Sequence, residues 1–293
     1  MSAVYRSAEA RRAVEARYRT FLDGWPVPAT EVTLPTRHGH TFVLASGPDT
    51  APPVVLLHGA GFNSVAWAGD VAAWSTTHRL YAVDLLGEPG LSAPARLPLT
   101  SDGYAEWLDD VLDGLGVAQA AFVGTSLGGW TALDYALRRP ERVERLALLV
   151  PGGIGRQRYA AVLASAFLLP FGDRGRRAAG RIVLGPRGID DGVTSGDAAA
   201  LRALDEYLLL IQRGFRYRRD PLPVFTDDQL RGLAMPLLVV AGAKDRMFDQ
   251  RATARRVRDL VPGGTVVLHP GAGHVPAGYA DDVHHFLTNG ARP

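Results

Sequence analysis

Residues 121–130, "AFVGTSLGGW", run from small apolar side chains into a serine set between two glycines and then into a segment of helical composition. Glycine tolerates close backbone approach and dihedrals that other residues avoid, so Gly124 and Gly128 around Ser126 predict a turn too sharp for ordinary side chains. Such a turn pushes the serine hydroxyl into the open. The apolar run before it predicts a strand buried on both faces, and "LGGWTALDYALRR" after it predicts a helix.

Outward from this point the pattern repeats. "VVLLHG" (54–59), "RLYAVDLLG" (79–87), "RLALLV" (145–150), "PLLVVAG" (236–242) and "GTVVLHP" (264–270) are short apolar runs of the same kind. "YAEWLDDVLDGLG" and "RATARRVRDLV" are helical candidates between them. "EVTLPT" and "HTFVLAS" predict an antiparallel pair around His38 and Gly39. A leading helix from about Ser7 to Gly24 places Val14, Tyr18, Phe21 and Leu22 on one face and is stopped by "WPVP". Strands interleaved with helices predict an α/β fold with a mostly parallel eight-stranded sheet, helices on both faces and right-handed crossovers. Chemistry in such sheets sits at the carboxyl ends of the strands, and Ser126, Asp245 and His274 all lie just past such ends.

The interval between "RLALLV" and "PLLVVAG" breaks the alternation. Residues 151–235 hold helical segments such as "AAVLASAFLL" and "AALRALDEYLLLIQRGF" but no convincing strand. They predict a helical cap inserted after the sixth strand, with a core of residues 1–150 and 236–293 whose first 28 residues form a helical extension. Arginines outnumber carboxylates in the insertion, the usual mark of a solvated face, although the same charge favours anionic substrates.

Composition removes several functions. Of 293 residues, 47% are hydrophobic and 21% charged, a globular balance, and a formal charge of +2 lacks the basic density of a nucleic-acid binder. No nucleic-acid partner is expected. The chain has no cysteine, hence no disulfide, thiolate metal site or cysteine nucleophile. The opening "MSAVYRSAEARRAVEARYRT" carries no apolar h-region, and the longest apolar stretch, around "YAAVLASAFLLPFG", is too short to span a bilayer. A cytoplasmic protein is expected, and the sequence carries no signal for an oligomeric state.

Gly124-Thr125-Ser126-Leu127-Gly128, after a strand and opening a helix, resembles the G-x-S-x-G nucleophile elbow of the serine α/β-hydrolase superfamily. Three further matches follow in the family's order: His58-Gly59-Ala60-Gly61 where it places the oxyanion loop, "AGAKDRMF" where it places the acid, and "HPGAGHVP" where it places the histidine. The match covers about residues 31–150 and 235–289 and suggests a capped, carboxylesterase-like member. The resemblance implies the α/β-hydrolase fold, Ser126 as nucleophile, His274 as base, Asp245 as its acid partner, and the N–H groups of Ala60 and Leu127 as oxyanion donors.

The chemistry gives each residue type a reason. A serine hydroxyl is a weak nucleophile at neutral pH and needs a base to take its proton. Histidine titrates close enough to neutrality to accept that proton and return it to the leaving group. A carboxylate fixes the histidine tautomer, and backbone N–H groups stabilise the tetrahedral oxyanion. Asp249, four residues past Asp245, is the rival acid but falls where a helix should start and reads as its cap. Asp84 in "DLLGEPGLS" reads as a loop-ordering residue, and His58 and the other six histidines as structural. No histidine pair has metal-ligand spacing, and "GEPG" and "PGGIGRQR" lack the strand–glycine–helix order of a dinucleotide site, so no metal or cofactor is expected.

The expected function is hydrolysis of a small, apolar carboxylic ester through an acyl-enzyme on Ser126. Serine at the elbow, where aspartate would stand in dehalogenase and epoxide-hydrolase relatives, directs the chemistry to acyl transfer. The same triad would also serve C–C bond, thioester or lactone hydrolysis or perhydrolysis, and a small-molecule binding protein on a hydrolase fold is the alternative of another class. Val162, Leu163, Phe167, Leu168 and Leu169 are candidates either for an apolar acyl pocket or for packing between cap helices.

Overall fold

The computed structural model describes residues 4–185, 198–275 and 278–290. Residues 186–197 of the expected cap and 276–277 of the expected histidine loop lie outside the described residues. The chain opens with α1 (Ala8–Asp23), capped by Ser7, whose Oγ accepts from Ala10 N at 3.0 Å. The hairpin β1 (Ala29–Thr36) and β2 (Gly39–Ser46) turns through Arg37 and His38. β3 (Pro53–Leu57) leads through the short helix α2 (Val71–Trp74) to β4 (Arg79–Val83), and α3 (Gly103–Gly114) leads to β5 (Ala120–Thr125). α4 (Leu127–Arg138) and β6 (Val143–Leu149) follow, then α5 (Ala160–Ala166), α6 (Gly172–Leu184), α7 (Ala198–Gly214) and α8 (Asp227–Arg231) before the chain returns to the sheet. β7 (Leu237–Gly242), α9 (Gln250–Leu260), β8 (Gly264–His269) and α10 (Ala280–Asn289) close it.

The sheet has eight strands in the order β1-β2-β4-β3-β5-β6-β7-β8. The β1–β2 and β2–β4 junctions are antiparallel and the remaining five parallel, as expected. Strand order reverses at β3, which lies between β4 and β5, and the crevice beyond its carboxyl end is where such sheets bind ligands. The loop after β3 and the turn after β5 therefore meet, because Leu57 and Gly124 pair across the two strand ends.

The apolar runs are continuous because both faces are covered. Val55, Leu57, Phe122 and Val239 enter one core with Trp107, Leu108, Leu133 and Val257 of α3, α4 and α9. Their neighbours Val54, Leu56, Val123 and Val240 enter the other, with Val14 and Tyr18 of α1, Trp74 of α2 and Phe286 of α10. Burying each such side chain contributes about 1.5–3 kcal/mol, so alternation between two cores fixes strand register more firmly than β-propensity does. α7 also joins the second core: Leu204, Tyr207 and Ile211 are buried with the α1 residues, and Tyr5 and Phe215 form an antiparallel bridge. This long insertion and the N-terminal helix thus share a core. Of the five apolar residues singled out in the insertion, Leu163 and Phe167 are 65% and 79% exposed and so are not buried between helices, whereas Leu168 is half-buried.

Candidate active site

The elbow explains its glycines. Ser126 adopts φ 53°, ψ −109°, a strained conformation for a residue with a Cβ, costing roughly 1–3 kcal/mol. Gly124 and Gly128 carry no positive φ; they are required by contact. A Cβ on Gly128 would stand 2.1 Å from the Leu57 carbonyl oxygen, and one on Gly124 2.4 Å from the Gly128 carbonyl oxygen. The expected glycine role is therefore close approach, while the unusual dihedral falls on the serine itself. Ser126 precedes α4 yet its hydroxyl makes no capping bond. It lies 3.0 Å from His274 Nε2 instead.

His274 follows β8, and its Nδ1 is 2.8 Å from Asp245 Oδ2. The carboxylate only accepts, so Nδ1 carries the proton and the Nε2 lone pair meets the serine hydroxyl. Asp245 Oδ1 accepts from Met247 N at 2.7 Å and Phe248 N at 3.1 Å, and Oδ2 also accepts from Gln250 Nε2 at 3.3 Å. Burial opposes ionisation of Asp245, but the neighbouring His274, with its hydrogen bond, and the two backbone donors outweigh it and hold the carboxyl below its usual range. All three side chains are buried, Ser126 at 8% exposure, so the turn presents the hydroxyl to His274 rather than to open solvent, where the sharp turn alone would put it. The insertion reaches the histidine directly, since His274 N donates to Leu184 O at the end of α6 at 2.7 Å.

Leu127 is the first residue of α4, so its N–H belongs to the helical donors without an intrahelical acceptor, at the positive end of the helix. Ala60 lies in the loop after β3 between Gly59 and Gly61; a Cβ on Gly59 would be 3.5 Å from Ser126 Cβ, which measures how closely this loop passes the elbow. The Gly61 N–H is engaged by Glu88 Oε2 at 2.6 Å. His58 accepts at Nε2 from Leu85 N at 2.9 Å and donates from Nδ1 to Gly59 O at 2.8 Å, and burial holds its pKa below the ordinary value. It is a neutral bracket between two loops. Asp84 binds Ser64 N and Oγ, Tyr18 Oη and Leu91 N, joining α1 to the loop after β4. Asp249 caps α9 through Ala252 N at 3.0 Å and pairs with Arg158 at 2.8 Å, away from the histidine.

Three residues near the site escaped the sequence reading. Val150, just past β6, has φ 42°, and nothing in "ALLVPGG" signals a strained valine. Gln250 reads as an ordinary helix-start residue, yet it bridges Asp245 and Pro151 O. Glu88 lies in "GEPG", where nothing in the sequence marks the glutamate as buried, yet it is 3% exposed. An open cleft of about 360 Å³ lined by Arg158, Lys244, Asp245 and Arg246 touches the acid but neither Ser126 nor His274. Among the described residues no group of ligating side chains suits a metal ion, and no helix is long and apolar enough to cross a membrane.

Comparison with known proteins places this arrangement. The family model described as the alpha/beta hydrolase fold matches residues 52–278. The chain is 34% identical over 268 residues to carboxylesterase YbfK of Bacillus subtilis, covering 88% of this chain and 86% of that one. The crystal structure of carboxylesterase CesB (YbfK) from Bacillus subtilis superposes with a TM-score of 0.81 at 29% identity, covering 97% and 100% of the two chains. That of naproxen esterase (carboxylesterase NP) from the same organism gives 0.79 at 32% identity over 93% and 96%. Sheet order, strained elbow and family match agree: the chain belongs to the α/β-hydrolase family.

Proposed function

We propose that this protein is a serine carboxylesterase acting on small, apolar esters, with Ser126, His274 and Asp245 as its triad and Ala60 and Leu127 as oxyanion donors. The observation that carries the reading is the unbroken hydrogen-bonded series from Asp245 through His274 to Ser126, ending on the strained elbow. The names of the two Bacillus esterases support ester bonds as the substrate class.

Ser126 Oγ attacks the ester carbonyl carbon as its proton passes to His274 Nε2, and the imidazolium is stabilised by Asp245. The carbonyl oxygen becomes an oxyanion facing the Ala60 and Leu127 N–H groups. Collapse breaks the C–O bond, and His274 gives its proton to the departing alcohol. Water, deprotonated by His274, then attacks the acyl-enzyme; the second tetrahedral intermediate expels Ser126, which recovers its proton. We read residues 151–235 as a cap that shapes the acyl site, because the insertion meets both sides of the elbow: Leu184 holds the His274 backbone, and the Tyr217 ring lies against Gly61.

Hydrolysis of short and medium-chain p-nitrophenyl esters tests this reading beside Ser126→Ala. The expected result is turnover by the parent and a loss in kcat of roughly 10⁴-fold or more in the variant. Equal rates for the two would refute it, and a ligand that stabilises a protein without turnover would establish a binding protein instead.

A further inference from the structure

One buried carboxylate beside the elbow has no part in the proton transfers just described. Glu88, in the loop after β4, is 3% exposed, and its Oε2 accepts from Gly61 N. Gly61 follows Ala60, so this bond fixes the plane of the Ala60–Gly61 peptide. The segment needs such a restraint: Ala60 stands between two glycines, which confer wide backbone freedom, and Gly61 itself lies at φ +72°. A second restraint comes from the insertion, since a Cβ on Gly61 would fall 2.1 Å from the Tyr217 ring. The bond to Glu88 also engages the Gly61 N–H, so that Ala60 is left as the donor of this loop.

Burial pushes the Glu88 carboxyl up to about 7, against the opposing influence of the Gly61 N–H, Arg96 and Arg218. The protonated acid still accepts through its carbonyl oxygen, and in that form it sets no full negative charge beside a developing oxyanion. An acceptor without a charge is therefore sufficient for the task.

We propose that Glu88 is a positioning residue of the oxyanion hole, holding the Gly59–Gly61 segment so that the Ala60 N–H meets the oxyanion. This rests on the serine-esterase reading above. Glu88→Met keeps the shape and removes the acceptor; Glu88→Gln keeps a neutral acceptor. With a p-nitrophenyl ester that the parent turns over, Glu88→Met should lower kcat about 10- to 100-fold, short of or equal to the loss of a whole oxyanion donor, with KM within about twofold. Glu88→Gln should recover kcat to within about threefold of the parent. Should the methionine variant not fold, Glu88→Asp, which withdraws the acceptor by one methylene, carries the same expectation. Parental kcat in Glu88→Met, a loss confined to KM, or a glutamine variant as impaired as the methionine one would each overturn the assignment. If Ser126→Ala is inactive while Glu88→Met is not, only the Glu88 role fails; if Ser126→Ala is as active as the parent, the esterase reading itself has failed.

Discussion

At Gly128 one added carbon decides whether the elbow forms, because the Cβ of an alanine would be driven against the Leu57 and His58 carbonyl oxygens at 2.1 and 2.5 Å. These are backbone atoms at the end of the central strand β3 and in the residue just past it, and they cannot swing aside as a side chain could. Gly128→Ala should therefore destabilise the fold by about 3 kcal/mol, at the upper end for overpacked sites, read as a lower denaturant midpoint at unchanged slope. A parental midpoint would show that helix and strand do not approach so closely. The glycines of the elbow were legible because a short motif imposed their spacing. Glu88 and Gln250 were not, because Glu88 serves a group 27 residues away and Gln250 ties Asp245 to Pro151 O, 99 residues away. A buried acceptor is recognised only when the group it serves is in place.

Among the elements, the strands were legible from their apolar runs, whereas the four-residue α2 is too short to show a helical period and went unseen. Its start holds a latch on the histidine loop: Asp70 is 4% exposed and accepts from Tyr279 Oη at 2.9 Å, just before α10. Burial raises the Asp70 carboxyl from 3.8 to about 7, only partly offset by the Tyr279 hydroxyl. Because the folded value is raised, the native state holds the proton more tightly than the unfolded chain. The stability this supplies is complete below about pH 4 and is lost as pH rises through about 7. Asp70→Asn keeps an acceptor for Tyr279 and cannot ionise. Between pH 4 and pH 8 the variant should gain on the parent by a stability difference on the order of 3 kcal/mol, followed by denaturant unfolding at each pH. A difference that does not change with pH would contradict the burial argument.

Over the whole molecule, the eight-stranded, mostly parallel sheet follows from the order of strand-like and helix-like segments. That order hides the packing of α7 on α1, which bury Tyr207, Ile211, Val14 and Tyr18 together, a contact between segments almost two hundred residues apart. Local periodicity marks each face as apolar and leaves its partner unnamed. These elements converge on Ser126, whose predicted activation by His274 can be tested chemically. The direct measurement is reaction with a fluorophosphonate followed by intact mass and peptide mapping, on the parent, Ser126→Ala and His274→Ala. One phosphonyl group on Ser126, absent from the serine variant and formed far more slowly in the histidine variant, is the predicted result. An unlabelled parent, or a label that persists when Ser126 is replaced, would contradict it.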